Sequence, residues 1–137
     1  MAVLAAGKRA SQMEPTYAIK VTTETFYVEQ QSEPASDRYV FAYTITIENV
    51  GTAAAQLIDR HWIITDGRGE VEEVKGDGVV GDQPVLDPGE SYQYTSGAML
   101  KTPVGTMTGS YGMVAEDGHA FKADIPTFSL AMPRTLH

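Results

Sequence analysis

The chain has 137 residues, no cysteine and a formal net charge of −8. That length suits one domain with a genuine core, and the lack of cysteine excludes a disulfide framework, a thiolate metal cluster and a cysteine nucleophile. The negative field disfavours non-specific binding to nucleic acid or anionic lipid, since both require positive protein charge.

In chain order, residues 1–16 read as a flexible N-terminal arm. Met1 to Leu4 are apolar, but Lys8 and Arg9 follow them, the reverse of a secretory signal. No window reaches the length of a membrane-spanning helix, so a cytoplasmic location without membrane insertion is expected.

From Tyr17 onward the period is two, with β-branched and aromatic residues alternating with polar ones. In residues 17–30, Ile19 and Val21 alternate in one phase and Phe26 and Val28 in another, which predicts a bulge or bend between them. Residues 31–37 form a polar turn. Residues 39–49 give the clearest strand, with Tyr39, Phe41, Tyr43, Ile45 and Ile47 on its core face. Asn49, Val50 and Gly51 then turn the chain.

Residues 55–65 predict a further strand. Strict alternation puts Leu57, His61 and Ile63 on one face and Ile58, Arg60, Trp62 and Ile64 on the other. Trp62 reads as the aromatic anchor of a sandwich core, and Arg60 as a partner for a carboxylate or an aromatic ring. A glycine-flanked turn at 66–69 leads into a strand over 70–75. Leu86, Asp87, Pro88 and Gly89 carry the chemistry of a type II turn, with proline fixing φ and glycine allowing it to be positive. Strands then follow over 90–95, 107–115 and 119–130, the last two joined by Asp117 and Gly118 and the last interrupted by Pro126. About seven strands at this spacing, with no convincing helical period, predict an all-β sandwich of two antiparallel sheets.

Several runs accumulate into a pattern: Gly76-Asp77-Gly78-Val79-Val80-Gly81-Asp82-Gln83-Pro84, the turn through Glu90, and Tyr94-Thr95-Ser96-Gly97. Arg60-His61-Trp62, the run from Gly105 to Tyr111, and Ile125-Pro126-Thr127-Phe128-Ser129-Leu130 join them. From Tyr17 to the C-terminus the chain closely resembles the ApaG family. The resemblance implies a fibronectin type III-like or immunoglobulin-like sandwich. It also implies an association with cobalt tolerance and magnesium efflux, and a role as a protein-binding module. It brings no enzymatic activity, catalytic residues or cofactor.

Gly76-x-Gly78-x-x-Gly81 matches a dinucleotide fingerprint in form only, because no helix N-terminus follows to receive a pyrophosphate and Asp77 and Asp82 bring negative charge. The glycines instead suit a shaped loop between strands. His61, His119 and His137 lack metal-site spacing, and Glu70, Glu72 and Glu73 read as a solvated face. Ser96 and Ser110 lie near glycines but have no nucleophile elbow. The function expected is therefore non-enzymatic binding of a protein partner, with a homodimer left open. The candidate contact residues are Gly76, Gly78, Val79, Val80, Gly81, Met99 and Leu100, with Pro103 adjoining. The alternative is a small-ligand protein holding a metal ion, phosphate or pyrophosphate in the 76–82 loop.

Overall fold

A computed structural model of the chain describes residues 14–133, so most of the expected arm over 1–16 lies outside the described residues. Eight strands follow one another: β1 (Ile19–Tyr27), β2 (Tyr39–Asn49), β3 (Ala55–Asp66), β4 (Val71–Asp77), β5 (Val85–Leu86), β6 (Ser91–Leu100), β7 (Val104–Ala115) and β8 (Ala120–Ala131). They form two antiparallel sheets. One has the order β1-β2-β6 and the other β4-β3-β7-β8, with the short β5 also paired to β3. Two single 3-10 turns, Glu29–Gln31 and Pro34–Ser36, fill the polar connection after β1. Among the described residues no helix is long and apolar enough to cross a membrane.

The core lies between the sheets and follows the alternation of β2, whose Phe41, Tyr43, Ile45 and Ile47 are all buried. From the facing sheet come Leu57, Trp62, Met107, Tyr111, Met113, Ile125 and Leu130. Trp62 meets Tyr43 edge-on with ring centroids 5.4 Å apart and Phe128 at 5.9 Å, both favourable geometries for aromatic quadrupoles.

Two irregularities differ from the sequence expectation. Of the bulge or bend expected in β1, no bulge forms, since β1 pairs with β2 residue for residue from Ile19 opposite Asn49 to Tyr27 opposite Phe41. Val21 therefore points inward and Phe26 outward, and the change of phase reflects an exposed phenylalanine. The bulge lies instead in β3, between Leu57 and Asp59. One extra residue there resets the alternation, so Leu57 and Trp62 both face the core despite an odd spacing, while His61 stays on the outer face. The expected face shared by Leu57, His61 and Ile63 is thus divided. In β8 the register shifts beside Pro126, whose nitrogen cannot donate to the ladder.

The 87–90 turn forms as its chemistry requires, with Glu90 N–H donating to the Asp87 carbonyl at 2.9 Å and Gly89 at φ 87. Beside it Asn49 is 1 % exposed, and its side chain is fully engaged. Its Nδ2 donates to the carbonyls of Ala53 and Leu86, both at 2.9 Å, and its Oδ1 accepts from Gly51 N–H at 2.9 Å.

The two sides of the sandwich are unlike. β1 and β8, edge strands of their sheets, lie against each other. On the other side, the edges β4 and β6 leave an opening, and the residues expected from sequence to make contacts lie along it.

Candidate functional site

The 76–82 loop leaves the end of β4 and folds into a tight two-residue hairpin. Val79 N–H donates to the Asp82 carbonyl at 2.8 Å and Asp82 N–H returns to the Val79 carbonyl at 2.9 Å. Val80 and Gly81, the central residues, have φ of 48 and 83, both positive as in a type I′ turn. Gly78 has φ 62, and a Cβ there would lie 2.3 Å from the Asp82 carbonyl oxygen, so glycine is required. With Gly78 N–H donating to the Ile58 carbonyl at 2.8 Å, the amides of residues 78, 79 and 82 are all engaged inside the protein.

The two valines of this loop have opposite fates. Val79 is 0 % exposed and belongs to the core, whereas Val80 is 64 % exposed at the tip. Val80 is also a β-branched residue with positive φ, a conformation that crowds its side chain against the backbone.

Under the loop lies a small cleft of about 170 Å³, bounded by Tyr43, Arg60, Trp62, Val79, Tyr94 and Ser96. The alternation of β3 past its bulge puts Arg60 on the inner face beside Trp62. It pairs across the hairpin with Gly76, where a Cβ would stand 2.8 Å from the guanidinium carbon. A side chain at position 76 would push that guanidinium out of its present place. One Nη of Arg60 donates to the carbonyls of Asp77 at 3.0 Å and Gly78 at 2.9 Å, tying the loop down. No carboxylate pairs with Arg60 among the described residues, where the one ion pair is His61 with Glu73. The sequence expectation of a carboxylate or ring partner gives way to backbone carbonyls.

Three tyrosines face this charge. Burial raises the Tyr43 hydroxyl above the ordinary phenol value and the Tyr94 and Tyr111 hydroxyls well above it, and the positive charge of Arg60 acts against that rise at each of them. The hydroxyls of Tyr94 and Tyr111 are hydrogen-bonded to each other. Tyr92, one step along β6, donates its hydroxyl to the Asp82 carboxylate at 2.6 Å, which holds the loop against β6.

Farther along the same opening, a groove of about 310 Å³ is floored by Ile64, Val71, Met99 and Leu100 and edged by Asp66, Glu70, Glu72 and Lys101. Leu100 is 4 % exposed and is a core residue, while Met99 and Val71 are at least half exposed. The Met99 end and the Val80 end are thus separated by the length of β4, about 20 Å at the usual rise per residue. They line one opening at different stations. Pro103 lies in the short connection from β6 to β7 that crosses between the sheets.

The remaining candidates are scattered. His61 Nε2 lies 2.9 Å from a Glu73 oxygen on the outer face of the second sheet. Ser110 is opposite His61 in register, with no hydrogen bond between their side chains. His119 stacks on Tyr17 with centroids 4.1 Å apart, and Tyr17 donates to Asp117, which holds that carboxyl below its usual range. His137 lies outside the described residues. Among the described residues no three His, Asp or Glu side chains converge as a metal cluster.

The Arg60 cleft was the feature missed in the sequence. Its signal was present in the alternation, which puts a charged residue on the same face as a core tryptophan.

The fold defines a class: a fibronectin type III-like, all-β sandwich of two antiparallel sheets, with three strands in one and, counting the short β5, five in the other. The ApaG domain profile matches residues 29–115. Protein ApaG of Thiobacillus denitrificans is 67% identical over 121 residues, which cover 88% of this chain and 95% of that protein. Protein ApaG of an Azoarcus species is 64% identical over 122 residues, 89% of this chain and 96% of that one. A crystal structure described as the putative ApaA protein from Bordetella pertussis superposes with a TM-score of 0.84 at 55% identity, covering 87% of this chain and 97% of that one. The chain belongs to the ApaG domain family.

Proposed function

We propose that this protein is a non-enzymatic binding module that recognises a protein partner along the opening between β4 and β6. The observation that carries this reading is Val80, an apolar β-branched side chain held exposed at positive φ. A hairpin of this type is best served by asparagine before glycine, so valine there lowers stability and presents apolar surface. Both consequences suit a contact residue. Met99 and Val71, exposed over the neighbouring groove, extend the apolar surface along the same side.

The physiological setting is the family's association with cobalt tolerance and magnesium efflux, acting through the partner. The reading also narrows the contact set expected from sequence. Val79 and Leu100 contribute by shaping the core beneath, and Val80 and Met99 make the contacts.

The test is affinity capture from native extract with immobilised wild type, Val80→Asp and Met99→Asp. Both variants should keep the wild-type melting temperature within a few degrees, since both side chains are exposed, and both should lose most of the captured protein. Full capture by both stable variants would refute the surface.

A further inference from the structure

We propose that the cleft beside Arg60 is a carboxylate-binding site, into which the partner inserts an acidic side chain or a free chain terminus. The proposal deepens the reading of the β4–β6 opening as a recognition surface and rests on it.

The argument begins with an unmatched charge. Arg60 lies on the core-facing side of β3, partly buried, and its neighbours in the cleft are aromatic rings, hydroxyls and two valines. A guanidinium in such surroundings ordinarily meets a carboxylate. Here it meets none among the described residues, and two backbone carbonyls take only one of its nitrogens.

Its Nε and its other Nη make no hydrogen bond with any described residue. Among the described residues no side-chain polar atom is both fully buried and unpaired, so neither of these nitrogens is closed off from solvent. Together they form the intact two-donor edge of the guanidinium, which matches the two oxygens of a planar carboxylate. Ser96 and Tyr43 add hydroxyls from the facing sheet.

Size and shape select the ligand class. At about 170 Å³ the cleft falls below the range of about 300–1,000 Å³ that whole small-molecule ligands occupy, so it suits one functional group at the end of a larger partner. A carboxylate presents its two oxygens in one plane, the arrangement that the two-donor edge of a guanidinium matches. Val80 borders the same cleft, so a partner resting on that side chain places its acidic group within reach of Arg60.

The test uses the ¹⁵N-labelled protein and the Nε–Hε resonance of Arg60, assigned by its loss in Arg60→Met. Acetate, a capped peptide with one internal glutamate, a capped peptide with a free C-terminal carboxylate, inorganic phosphate and chloride are titrated at constant ionic strength. Acetate and at least one peptide should produce a saturable shift, and the peptide that binds tighter identifies side chain or terminus as the source. Ser96→Ala, which leaves Arg60 and its loop bonds in place, should weaken acetate at least twofold.

No saturable shift with acetate or either peptide would overturn the proposal, as would a response to phosphate alone or an equal response to chloride. Acetate binding unchanged in Ser96→Ala would remove the site from this cleft. The titration needs no partner, so it can fail while capture through Val80 and Met99 succeeds, and the reverse.

Discussion

Asn49 and Arg60 are both polar side chains turned toward the sandwich interior, and the structure treats them oppositely. Asn49 is 1 % exposed, and both its Nδ2 and its Oδ1 find backbone partners. It closes the end of the sandwich near the 87–90 turn and has no capacity left over. Arg60 uses one nitrogen to hold the 76–82 loop and leaves two without a protein partner, neither closed off from solvent. A saturated buried polar group builds structure, whereas an under-used charged group in a concave site is available for recognition.

The largest effect expected from this contrast is at Asn49. Asn49→Leu removes the bonds to the Ala53 and Leu86 carbonyls and leaves the Gly51 amide without its acceptor, which should destabilise the protein by about 3 kcal/mol in urea denaturation. Val79→Ala removes methyl groups from a fully buried position and should cost about 2 kcal/mol by the same measurement. Arg60→Met retains the hydrophobic stem and loses two hydrogen bonds to carbonyls, so its cost should stay near 1.5 kcal/mol or below. The contrast would break if Arg60→Met matched Asn49→Leu, because Arg60 would then be a second structural plug.

Much of the fold was legible in the sequence because the core depends on strand alternation. β2 reads directly as Phe41, Tyr43, Ile45 and Ile47 inward, and the turns at Pro88-Gly89 and Asp117-Gly118 carry their own backbone chemistry. The bulge at Leu57 was not legible. Nothing local to Leu57-Ile58-Asp59 demands an extra residue, which arises from the pairing of β3 with β7.

The 76–82 loop was legible as glycine-shaped, but the division of labour between its valines was not. Identical neighbours differ only through the hairpin that turns one inward and one outward. Arg60 stood on the correct face in the alternation, while its lack of a carboxylate partner is a fact of three-dimensional proximity.

The central claim is that the loop tip departs from its most stable sequence in order to present an apolar contact. Val80→Asn tests it most directly, since it places asparagine before Gly81, the preferred pair for a turn with two positive φ values. Measured together on that variant, the melting temperature should rise by about 3 °C, corresponding to about 1 kcal/mol, and capture of the partner should fall. A melting temperature at or below the wild-type value, with capture unchanged, would contradict the account.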